Sequence, residues 1–188
     1  MKNVIVLLVL TFSLFSCKNS KSKTIPIAAE QKTEKTIDQE IEPPKELKIP
    51  LYSKIPELRN TLSKNGIGTL GVWKSGYSST DYHKFGSSSS SNGMQNNIAY
   101  YINGRGKSAE EVKIVLNINN PNQAKEALAM LKRISKKTLK SLNLVSPKGL
   151  SKSILNQEPN EFENDFYRIK LKLVKSKIDT WSVIIYSK

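Results

Sequence analysis

The chain holds few side chains fit for covalent chemistry, with one cysteine, Cys17, and one histidine, His83, among 188 residues. Ser79, Asp81 and His83 are the residue types of a nucleophile–base–acid relay. Read as one strand over 77–85, alternate residues share a face with side chains roughly 7 Å apart, too far for a hydrogen-bonded relay. No Gly-x-Ser-x-Gly elbow accompanies them. Glu158, Glu161, Glu163 and Asp165 offer the carboxylates that glycoside hydrolysis needs in pairs. Their irregular spacing around Pro159 and several Asn residues reads instead as a solvated loop that shields the basic strand after it. Gly66-Ile67-Gly68-Thr69-Leu70-Gly71 matches the Gly-x-Gly-x-x-Gly pattern of dinucleotide sites. That motif requires a strand before it and a helix after it, so that helix amides meet the pyrophosphate. Here the order is reversed, and the glycines mark a helix stop and a strand start. With no spare cysteine, one histidine and no Asp-rich calcium loop, neither metal nor cofactor is expected.

Non-covalent chemistry has more material. The formal charge is +14, with 26 Lys against 4 Arg. Residues 49–188 carry 22 basic and 10 acidic residues, so nearly all the excess belongs to this part. Such a surface attracts anions through a salt-dependent field. The Lys bias argues for point-charge steering rather than bidentate phosphate recognition, and Lys-rich composition is also what solvated faces in general look like. Two rows stand out: Arg168, Lys170 and Lys172 beside Lys113 on strands, and Lys125, Lys132, Lys136 and Lys140 on a helix. The aromatics Trp73, Tyr77, Tyr82, Phe85, Tyr100 and Tyr101 gather near a serine-rich loop. Aromatics beside cations suit sugars or single strands, although core and edge packing explains most of them.

The elements that must position these residues follow from periodicity. Leu51, Ile55, Leu58 and Leu62 form one apolar helix face, giving a helix over about 54–64 with Ser53 as cap and Asn65-Gly66 as left-handed stop. Strands are expected over 69–75, as an edge over 77–85, and over 97–102 with Asn103-Gly104 as the turn. Residues 86–93, Gly-Ser-Ser-Ser-Ser-Ser-Asn-Gly, read as a loop. Over 111–119, Val112, Ile114, Leu116 and Ile118 alternate with Lys113, Val115, Asn117 and Asn119, the pattern of a half-buried strand. Asn120-Pro121 opens a long helix lined by Ala124, Ala127, Leu128, Leu131, Ile134, Thr138 and Leu142. A helical turn over 151–157 precedes a final hairpin, with Ile169, Leu171 and Leu173 inward, then Trp181, Val183 and Ile185. The expected fold is α+β: an antiparallel sheet of about five strands with one long and one short helix on one face, in the order α-β-β-β-α-β-β. This order resembles that of type III secretion chaperones in topology alone, and fold does not fix function.

The first residues carry an address. Lys2 is followed by an apolar core from Val4 to Leu14, too short for the roughly 20 residues of a membrane span. It ends Leu14-Phe15-Ser16-Cys17, which resembles the lipobox of bacterial lipoproteins, with Phe15 departing from the usual small or aliphatic residue. The resemblance implies a signal peptide over 1–16, cleavage after Ser16, diacylglycerol on the Cys17 sulfur and acylation of the new amine, such as by palmitate. Two or more chains anchor stably where one does not. Lys18 stands where an Asp would retain such proteins in the inner membrane, so the resemblance implies an outer membrane anchor facing the periplasm.

Residues 17–48 then form a lipidated tether, with mixed charges, no aromatics, and Pro26, Pro43 and Pro44 breaking helices. A helix over 33–42 would be isolated and marginal. As a coil the tether sets the domain roughly 30 Å from the membrane. Residues 49–188 are expected to form a single domain, stabilised by its apolar core alone because no second cysteine is available. The reading that follows is a membrane-anchored envelope lipoprotein binding a protein or an anionic polymer without catalysis, and with no specific nucleic acid. The alternatives are an envelope hydrolase and a secretion or chaperone-like accessory protein.

Overall fold

The computed structural model describes residues 48–88 and 93–188. The signal segment, Cys17, the tether to residue 47 with its helix over 33–42, and residues 89–92 of the serine loop lie outside the described residues. The elements run α1 (Ile55–Asn65), β1 (Tyr77–Ser79), β2 (His83–Phe85), β3 (Asn96–Arg105), β4 (Ser108–Ile118), α2 (Ala124–Ser141), α3 (Leu150–Asn156), β5 (Asn160–Glu163), β6 (Tyr167–Val174) and β7 (Asp179–Ser187). The fold is α+β, as its alternating segments require. Among the described residues the strands form one antiparallel sheet in the order β1-β3-β4-β7-β6-β5, and β2 also pairs with β3.

The core lies on one side of this sheet. Ile98, Tyr100 and Ile102 of β3, Val112, Ile114 and Leu116 of β4, and Trp181, Val183 and Ile185 of β7 point to it, with Ile169 and Leu171 of β6. Leu58 and Leu62 of α1, Leu128, Leu131 and Ile134 of α2, and Ile154 of α3 cover them. The period of two on the strands and the helical period on α1 and α2 thus meet in one apolar layer. Asn120 caps the turn Pro121–Gln123 that opens α2, its side chain accepting from the Asn122 amide. Polar ties cross the same layer. The Tyr52 hydroxyl donates to the Ile185 carbonyl (2.7 Å), and the Tyr100 and Thr138 hydroxyls share a hydrogen bond (2.7 Å).

Several local expectations are corrected. Residues 69–75 form no ladder strand; the segment runs beside β1, with the Gly71 amide donating to Ser79 and one isolated bridge from Lys74 to Tyr77. Ser75 and Gly76, both at positive φ, close that bridge as a two-residue turn. Asn103-Gly104, placed at a turn, lies inside β3, where the register shifts because β4 carries the extra residue Glu110, and the chain reverses at Gly106-Lys107. Ser53 does not cap α1; its hydroxyl donates to the Pro50 carbonyl. Gly66 is not left-handed, with φ at −118°. A Cβ there would run into the Tyr100 ring and the Leu62 carbonyl, so close approach explains the glycine. The acidic segment is not simply a loop either. Asn160–Glu163 pairs with β6 as an edge strand, which raises the strand number above five, and α3 is a third helix.

Candidate functional site: the open face of the sheet

The register sets out what the uncovered side presents. One cross-strand row reads Ser79, Tyr101, Lys113, Ile184, Lys170 and Glu161 from β1 to β5. The next reads Tyr77, Asn103, Glu111, Tyr186, Arg168 and Glu163. On the other flank lie Ala99, Val115, Ser182 and Lys172. No helix residue of the core cluster sits on this side: the cluster takes the alternate positions, and Ala99, Val115 and Ile184 stand outside it. These three are nonetheless at most 9% exposed, with longer side chains at the neighbouring positions of this side.

Those longer side chains are tyrosines and cations. The Lys113 ammonium sits 5.3 Å from the centre of the Tyr101 ring, and the Arg168 guanidinium 4.8 Å from that of Tyr186, both within cation–π reach. The Tyr101 hydroxyl donates to that of Tyr82 (2.7 Å), and the Tyr77 and Tyr101 rings stand 6.2 Å apart at 49°. Loss of water around Tyr101 pushes its pKa above the ordinary tyrosine value, and the neighbouring Tyr82 and Tyr77 phenols add to the effect. Partial burial likewise raises Tyr186, reinforced by the Glu111 carboxylate. Tyr101 and Tyr186 therefore remain neutral donors at physiological pH.

The structure brings Lys113, Arg168, Lys170 and Lys172 onto one face, with Lys113 and Lys170 two strands apart, roughly 10 Å by strand spacing. It also shows how they are balanced. Glu161 lies 3.6 Å from both Arg168 and Lys170, the pairs being 42–49% exposed, and Glu163 pairs with Lys188, which lowers the pKa of its carboxyl. Exposed pairs of this kind contribute about 0–1 kcal/mol each; their larger effect is to blunt the field at one end of the row. Among the described residues, Lys113 and Lys172 have no carboxylate within ion-pair distance.

Lys132, Lys136 and Lys140, with Lys125, are not part of this surface. They lie on α2, which covers the core face, so their side chains project from the opposite side of the molecule. The aromatics divide too. Tyr77, Tyr82 and Tyr101 gather on the open face, whereas Tyr100 is buried and Phe85 and Trp73 pack against the core. Sequence reasoning missed Tyr186. The signal was present, since Tyr186 is in phase with Ile184 and out of phase with Trp181, Val183 and Ile185.

The covalent candidates are not brought together. Tyr77–Ser79 and His83–Phe85 are separate strands that pair with different parts of β3. Ser79 stands opposite Tyr101 on the open face, while His83 stands opposite Ile98 on the helix side, which corrects the expectation that they share a strand and a face. Among the described residues no three His, Cys, Asp or Glu side chains converge as metal ligands, and no helix is long and apolar enough to cross a membrane. Comparison of the chain with protein-family models, curated proteins and solved structures gives no match.

Proposed function

We propose that this chain is a lipid-anchored envelope protein that binds an acidic partner, a protein or an anionic polymer, through the open face of its sheet, without catalysis. One observation carries the reading: among the described residues the core-forming helices cover one side, leaving Lys113, Lys170 and Lys172 around Ile184, with Tyr101 and Tyr186 beside them, on the side that these helices do not cover. Large amphipathic tyrosines at a surface give contact area at small entropic cost, and lysines steer acidic partners toward it. The Cys17 anchor and its tether, proposed from the lipobox and Lys18, hold this face near a membrane, facing the periplasm from the outer membrane.

The test separates the face from net charge. Lys170→Glu with Lys172→Glu, and Lys132→Glu with Lys136→Glu, change the charge equally but on opposite sides. On immobilised polyglutamate and polyphosphate, the first pair is expected to elute at clearly lower salt than the second. Equal loss in both would reduce the reading to general basicity. Metabolic labelling with a fatty-acid probe is expected to mark the wild type and not Cys17→Ser.

A further inference from the structure

On the helix side the chain forms a second, unrelated feature. The stretch Gly66-Ile67-Gly68 after α1, His83 of β2, and Met130, Arg133, Ile134 and Lys137 of α2 enclose a cleft of about 440 Å³. The register explains the meeting. His83 pairs with Ile98, so its ring points toward the helices, and Arg133 and Lys137 lie one turn apart on α2. The ionisable side chains lining the cleft are a guanidinium, an ammonium and an imidazole, and no carboxylate lines it. Among the described residues neither Arg133 nor Lys137 forms an ion pair, and the Ile67 and Gly68 amides donate to no backbone acceptor. The Arg133 guanidinium donates to the Met130 sulfur (2.8 Å), so a planar fork, a compact cation and an imidazole meet in the cleft with no carboxylate partner among the described residues.

We propose that this cleft is a binding site for a phosphoryl group. A tetrahedral oxyanion offers several acceptor oxygens to the donors carried by β2 and α2, whereas a carboxylate has only two. A cleft of this size takes a phosphate or a small phosphate ester. The surface is distinct from the open face, so it stands or falls separately from the reading above. The phosphoryl group could be free or belong to a lipid headgroup, since the two share this chemistry.

The chain itself supplies the probe, because His83 is its only histidine and its ring resonances report the cleft alone. Full-length protein in detergent micelles, isotope-labelled in the histidine ring, is titrated with inorganic phosphate and, separately, with phosphatidylglycerol or phosphatidylcholine vesicles. A saturable shift of the His83 ring is expected with phosphate. A shift with phosphatidylglycerol but not with free phosphate would assign the group to a lipid headgroup. Arg133→Gln with Lys137→Gln is expected to weaken the effect about tenfold or more, as loss of charged hydrogen bonds should. Lys125→Gln, on the same helix but twelve residues from Lys137, should leave it unchanged. The proposal is overturned if neither phosphate nor phosphatidylglycerol moves the His83 ring saturably, or if the double glutamine variant responds as the wild type does. Both altered side chains are exposed, and an unchanged thermal melt verifies that the variants fold.

Discussion

The two faces of the one sheet were built from the same strands and differ by a single step in phase. On the helix side, even positions of β4 and odd positions of β7 bring Leu116 and Trp181 into a closed apolar layer. On the other side, Lys113 and Ile184 alternate with them and meet tyrosines and cations. The contrast teaches that burial alone does not define the core. Ala99, Val115 and Ile184 are buried without belonging to it, on the side that carries the tyrosines and cations.

Substitutions can break that contrast. The largest effect is expected from Leu116→Ala, which should cost about 2–5 kcal/mol, whereas Lys113→Ala one strand face away should cost about 1 kcal/mol or less. Denaturant unfolding of the two variants measures both, and similar losses would mean the open face is structural. Next comes Gly66→Ala, expected to cost about 1–3 kcal/mol by driving a methyl into the Tyr100 ring. Gly66→Asn should be no better, which separates close approach from a left-handed requirement that asparagine would satisfy.

A smaller effect is expected at the phenols. Tyr52→Phe removes the bond to the Ile185 carbonyl and should cost about 1 kcal/mol. Burial raises the pKa of Tyr52 and Tyr100 above the ordinary tyrosine value, as it does for Tyr101 and Tyr186. An acid whose folded pKa is raised favours folding while it stays protonated. That contribution is present at neutral pH and is lost as pH rises above about 10 toward the folded values. Spectrophotometric titration should therefore show these tyrosines ionising late, and together with alkaline unfolding. Smallest on stability is Glu161→Gln, which should change unfolding by less than about 1 kcal/mol. It should nonetheless strengthen retention on polyglutamate, because Arg168 and Lys170 lose their counter-charge.

The sequence made the sheet's phases legible wherever alternation was long. Val112 to Ile118 and Ile169 to Leu173 point as their pattern required, whereas Asn120 caps the short turn Pro121–Gln123 and α2 itself starts only at Ala124. Short edges were not legible. Asn160–Glu163 has only Phe162 turned to the core, so its pairing with β6 leaves little trace in composition. Ser79 and His83 looked like neighbours on one strand because nothing local announces a crossing from one part of β3 to another. For the site, the basic strand row was visible in the alternation of β6, whereas its Tyr186 neighbour and its separation from the α2 lysines depend on which side the helices cover. The Gly66–Gly68 stretch was rightly a helix exit, yet its place beside His83, Arg133 and Lys137 is a product of tertiary packing alone.

The most direct measurement places a photoreactive amino acid in living cells at Ser182, on the open face beside Lys172, or at Lys125 on α2. Irradiation should yield a discrete adduct with an acidic protein or polymer from position 182, weakened by Lys170→Glu with Lys172→Glu and absent from position 125. An adduct from position 125 with none from 182 would contradict the assignment of the open face as the binding surface.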